Sequence, residues 1–83
     1  MHERALMRDV VRKLEEVALE GGAARVTRVD VRLGELSHLT PETFREHFAD
    51  AARGTLAEGA EIEATTAAGA RDVVVERVEI EVA

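Results

Sequence analysis

A histidine at position two places three nitrogens within reach of one metal ion. In Met1-His2-Glu3 the terminal amine, the backbone amide nitrogen of His2 and its imidazole can close consecutive chelate rings, and the Glu3 carboxylate stands beside them. Nitrogen-rich, tetragonal ligand sets of this kind suit Ni(II) or Cu(II) better than zinc. Taken alone, a histidine in second place is weak evidence, and the other two histidines weigh differently. His38 follows the only serine, Ser37, in an expected loop. Exposure without function is the expectation there, because adjacency in sequence does not make a nucleophile and its base. His47 falls among apolar residues at helical spacing and is expected to be packed and hydrogen-bonded rather than a ligand. There is no GxSxG, no HExxH and no phosphate-cradling glycine loop. The absence of cysteine excludes disulfides, thiolate catalysis and Cys-based zinc sites. Arg25, Arg28 and Arg32 form a basic stripe expected to pair with acidic neighbours. The remaining carboxylates alternate along strands, where solvated surface is the default. An enzyme is not expected.

The elements that must position these groups follow from hydrophobic spacing. From Arg4 to Glu20, apolar residues Leu6, Met7, Val10, Val11, Leu14, Val17 and Ala18 recur at steps of three and four, giving an amphipathic helix that begins after Glu3. Arg12 can meet Glu16 on its polar side, and Gly21-Gly22 stops it. Val26 to Leu33 alternates as a strand, with Val29, Val31 and Leu33 on one face and Arg28, Asp30 and Arg32 on the other. After a loop over 34–39, Thr40-Pro41-Glu42 reads as cap, first helical residue and first-turn acid. Leu39 and Phe44 are placed to form a hydrophobic staple across that cap. Phe44, His47, Phe48, Ala51 and Ala52 share the apolar face of this second helix, which Gly54 ends. Ala60 to Thr66 and Val73 to Val82 are strands joined by the loop 67–72. The run Val73-Val74-Val75 breaks the alternation, so a bulge or a strand buried on both faces is expected there.

The chain has 83 residues, and the expectation is one domain over 1–83. Its class is α+β: a small two-layer sandwich, with a three-stranded sheet and two helices packed on one face. The formal net charge is −6, and residues 58–83 hold 7 acids against 2 bases. The only aromatics, Phe44 and Phe48, fall at core spacing. Nucleic acid is therefore a poor partner, as is an anionic membrane surface. No apolar run approaches the roughly 20 residues of a membrane span, and charges in the first turn leave no room for a signal peptide. The expected compartment is the cytoplasm.

Four segments in register resemble one family. Met1-His2-Glu3 leading into an amphipathic helix resembles the opening of the HypA/HybF nickel metallochaperones of [NiFe]-hydrogenase maturation. Arg25 to Val29 and Val31 to Ser37 are similar to that family's first strand and its "GELS" turn. Phe48-Ala49-Asp50 and Arg53 to Ile62 are similar to its helix end and "GTxAEGAxLE" run, and Val75 to Val82 to its closing strand. The resemblance implies Ni(II) bound by Met1, His2 and Glu3, capture and hand-off instead of catalysis, and two partners, the maturation GTPase and the hydrogenase large subunit. It also exposes two departures. The family inserts a zinc ribbon with paired CxxC motifs between its last two strands, whereas this chain has only 67–72 there and no cysteine, so no zinc is expected. Thr40 stands where some members carry an aspartate near the metal. The alternative is a zinc-less paralogue acting as an interaction or assembly module without metal delivery. An enzyme-subunit accessory unrelated to nickel is a third and weaker reading.

Overall fold

The computed structural model describes the backbone of residues 2–82 and the side chains of residues 4–82. The order of elements is α1 (His2–Glu20), β1 (Ala23–Gly34), a short 3-10 turn (Glu35–Ser37), α2 (Pro41–Ala52), β2 (Glu61–Ala67) and β3 (Val73–Val82). The three strands form one sheet in the order β2-β1-β3, with β1 and β2 parallel and β1 and β3 antiparallel. α1 packs on β1, α2 packs on β2, and the helices pack on each other. The expected α+β sandwich is therefore the observed one.

α1 buries Met7, Val10, Val11, Leu14 and Ala18. Val17 sits at the margin of the stripe and is 37% exposed. The helix starts at His2, not after Glu3, so the chain's second residue is already helical. Arg12 bonds Asp9 at 3.3 Å in place of the expected Glu16, while Lys13 lies 3.9 Å from Glu16. Gly22 at φ 69° turns the chain directly into β1.

β1 is longer than its apolar pattern suggests, because Ala23 and Arg25 at its start pair with Val82 and Glu81 of β3 and Gly34 at its end pairs with Ala67 of β2. Val29, Val31 and Leu33 are fully buried, and the alternating Arg28, Asp30 and Arg32 face the open side of the sheet. Val26 is buried as well, although it is out of phase with Val29. A register shift between Val26 and Arg28 leaves Thr27 unpaired, and its hydroxyl donates to the Glu79 carbonyl at 3.1 Å. The irregularity expected at the start of β3 is a bulge. Val31 pairs with Val75 and Asp30 with Arg77, so Glu76 has no partner. This one extra residue moves the apolar phase from Val73 and Val75 to Val78, Ile80 and Val82 without leaving the core side.

α2 begins with a complete capping box. The Thr40 hydroxyl accepts from the Thr43 amide at 3.1 Å, and the Thr43 hydroxyl accepts from the Thr40 amide at 3.0 Å. Leu39 and Phe44, the two ends of the expected staple, are both in the core. Phe44, Phe48 and Ala52 form the buried line of α2, whereas His47 is exposed. The expectation of a packed His47 was wrong because a narrow i, i+4, i+8 line suffices to cover a short strand.

Strand order explains why the chain passes so close to Gly34. β2 and β3 lie on opposite sides of β1, so the connection 68–72 must cross the end of β1. It crosses at Gly34, where an added Cβ would lie 2.5 Å from the Ala70 carbonyl oxygen. The Gly34 and Leu36 amides donate to the Asp72 and Ala70 carbonyls at 2.8 and 2.9 Å. The Gly69 amide donates to the Glu35 carboxylate at 3.1 Å.

Candidate metal site

The Gly21-Gly22 turn sets α1 antiparallel to β1, so the start of α1 lies beside the end of β1. At that end an open groove of about 640 Å3 is lined by Leu6, Ser37, Leu39, Arg71, Asp72, Val73 and Val74. Leu6 stands one helical turn beyond His2. Three distant segments thus meet near the chain start: the first turn of α1, the turn after β1, and the crossing loop. Spacing along the sequence gave no sign of this groove, since Arg71 and Asp72 reach it only through the crossing.

Of the candidate ligands, Met1 and the side chains of His2 and Glu3 lie outside the described residues. The backbone around them is informative. An α-helix leaves its first four amides without intrahelical acceptors, and His2 opens α1. Its amide nitrogen is therefore one that the helix does not use. Among the described residues, no group of three or more His, Asp or Glu side chains is arranged to hold a metal ion.

The other singled-out residues are separated by the fold. His38 is exposed and takes the left-handed conformation at φ 65°, closing the 3-10 turn. Its neighbour Ser37 holds the turn together, since its hydroxyl donates to the Gly34 carbonyl at 2.6 Å and accepts from the Leu39 amide at 3.3 Å. The Ser37 hydroxyl is thus spent on the turn, as expected for a pair without catalytic geometry. His47 is exposed on α2 and does not line the groove. The arginines of β1 pair as expected, Arg25 with Glu81 at 2.8 Å, Arg28 with Asp30 at 2.9 Å and Arg32 with Glu76 at 2.9 Å. The hydrogen bond that Arg28 donates to Asp30, then the charge of that carboxylate, raise the already high pKa of Arg28. Among the described residues no helix is long and apolar enough to cross a membrane.

With this geometry in place, comparison with known proteins is direct. Residues 1–81 match the family described as hydrogenase/urease nickel incorporation, metallochaperone, hypA. A hydrogenase maturation factor HypA from Chlorobium limicola is 41% identical over 63 residues, covering 76% of this chain and 54% of its own length. The corresponding factor HypA 1 of Bradyrhizobium diazoefficiens is 45% identical over 60 residues, covering 72% of this chain and 53% of its own. The chain therefore spans about half the length of the curated relatives it matches. The solution structure of the nickel metallochaperone HypA from Helicobacter pylori superposes with a TM-score of 0.75, at 14% identity and over 98% of each chain, so the fold is shared. On the match over nearly its whole length, the chain belongs to the HypA family.

Proposed function

We propose that this chain binds Ni(II) through the Met1 amine, the His2 amide and imidazole, and the Glu3 carboxylate, and hands it on during maturation of [NiFe] hydrogenase. The observation that carries the reading is the family match from residue 1, with Met1-His2-Glu3 at its start. A helix that opens at His2 supports it, because the His2 amide is free of helical bonding. Ligands drawn from three consecutive residues at a chain end are exposed to an acceptor, which suits release as much as capture. The receiving partners in this reading are the maturation GTPase and the hydrogenase large subunit, in the cytoplasm. The short crossing 68–72 stands where the family places its zinc ribbon, so nickel is the only metal in the reading.

One observation favours the paralogue as a second reading. The Thr40 hydroxyl is engaged by Thr43 in the capping box and offers no carboxylate oxygen. Nickel titration of chain with a native N-terminus, beside His2→Ala, separates the two. Saturable binding that disappears in the variant supports delivery; identical titrations of the two proteins overturn it, and no binding by either leaves the paralogue.

A further inference from the structure

β3 is an edge strand of ten residues with its far side unpaired in the described sheet. The helices lie over β1 and β2, so the core side of β3 is incompletely covered: Val75 is 37% and Val82 65% exposed. Register with β1 assigns its two faces. Val73, Val75, Val78, Ile80 and Val82 lie opposite core residues or Ala23, and Val74, Arg77, Glu79 and Glu81 lie opposite Arg32, Asp30, Arg28 and Arg25. Soluble edge strands commonly carry an inward-pointing charge that discourages pairing. The core side of β3 carries only valine and isoleucine. The other edge, β2, is shorter and lies under α2, from which Arg45 donates to the Ile62 carbonyl at 3.2 Å.

We infer that β3 pairs antiparallel with β3 of a second copy about a two-fold axis at Val78, joining two sheets into one of six strands. The register follows by elimination. In an antiparallel pair, opposed residues share a face, so the axis must pass through a residue and not between two. An axis at Arg77, Glu79 or Glu81 opposes each to itself, and an axis at Ile80 opposes Glu79 to Glu81. All four, like an axis at Glu76, place like charges opposite, which is destabilising, and an axis at Val73, Val74, Val75 or Val82 leaves about half of the strand or more unpaired. An axis at Val78 opposes Val78 to Val78 and Arg77 to the partner's Glu79, twice by symmetry.

The Glu76 bulge extends the match. With Glu76 left out of both ladders, Val75 meets the partner's Ile80, Val74 its Glu81 and Val73 its Val82. Every core-side pair is then apolar, and both charged pairs are complementary. Arg77 and Glu79 already lie 3.2 Å apart within one strand and are largely exposed, so exchanging that bridge for two intermolecular ones displaces no buried group. The arrangement also has a functional consequence. Val73 lies at the groove beside the start of α1 and Val82 at the far end of the strand, so the two-fold sends the two α1 starts to opposite poles. On the function proposed above, each would remain free to take up and release its own ion.

Sedimentation equilibrium over a concentration series tests the pairing, with thermal melting to confirm that each variant folds. The native chain is expected to dimerise. Arg77→Glu and Glu79→Arg each place like charges opposite at two symmetric positions and should weaken the dimer by about tenfold or more. An equimolar mixture of the two variants should restore association, because the glutamate introduced in one then meets the arginine introduced in the other. The double variant should restore it as well. A native chain that stays monomeric throughout overturns the inference. So do single variants that associate like the native chain, or a mixture no tighter than its components.

Discussion

At the scale of residues, protons would compete with nickel for the proposed Met1-His2-Glu3 site. Terminal amines titrate at about 7.7–8.0 and imidazoles at about 6.5, and both must be deprotonated to bind a metal. The unbound form keeps its protons as pH falls, so nickel affinity should drop steeply below about pH 7. A flat titration between pH 6 and 8 would mean that carboxylates hold the ion. One extra glycine before Met1 is a sharper test, because it converts the chelating amine into a neutral peptide nitrogen and should abolish tight binding while the melting curve stays in place. Equal affinity with and without that glycine excludes the amine as a ligand. Legibility at this scale was uneven for physical reasons. His2 could be singled out because chelation by consecutive residues is written in the order of the chain. His47 was misplaced because a helix face tells only which residues are neighbours. Phe44, Phe48 and Ala52 fill the space over β2, and the adjoining His47 is left to solvent.

Among the elements, the turn after β1 was legible as a family motif but not as a device. "GELS" fastens the crossing loop: Gly34 lets it pass, Glu35 accepts from Gly69, and Ser37 ties its own turn. None of this follows from hydrophobic spacing, because the need for a crossing comes from strand order, and strand order is a property of the assembled sheet. Gly34→Ala places a Cβ against backbone of residues 70 and 71 that cannot move without breaking the Asp72 and Ala70 bonds. Overpacking of this kind costs about 1–3 kcal/mol, and urea unfolding should show a midpoint lowered to match. An unshifted midpoint would mean that the loop gives way. The cap of α2, by contrast, was legible but for the reciprocal bond of Thr43, since Thr, Pro and an apolar pair at fixed offsets carry their own geometry. Thr40→Ala removes the acceptor for the Thr43 amide and should cost about 0.5–2 kcal/mol by the same measurement. The bulge at Glu76 lies between these cases. Three consecutive valines announced an irregularity, and only pairing with β1 showed which residue is left out.

For the whole molecule, the question is whether the metal and the fold depend on each other. The core draws on both helices, β1 and β2, with Met7, Leu14, Val29, Leu33, Phe44 and Ile62 buried together, and Val73, Val78 and Ile80 of β3 pack against it partly buried. Among the described residues no polar or charged side chain is buried and no buried side-chain nitrogen or oxygen lacks a partner. Such a core needs no metal to close it, so EDTA should leave cooperative melting unchanged. Added nickel carries more information. A ligand that binds only the native state at 100 times its Kd stabilises by about 2.7 kcal/mol, which for a chain of this size is a rise in Tm of about 10–20 °C. Affinity for the unfolded chain cancels that gain. In the proposed site Met1, His2 and Glu3 are consecutive and would form the same chelate whether or not the rest is folded, and the His2 amide would give up no helical bond to join it. Saturating nickel should therefore move Tm by no more than about 2 °C, against the far larger shift of a native-only site. Differential scanning calorimetry at fixed protein concentration, with and without Ni(II), reads this directly. A rise of about 10 °C or more would place a ligand elsewhere in the fold. His38, on the turn between the groove residues Ser37 and Leu39, is then the first side chain to replace, and His38→Ala should erase the rise.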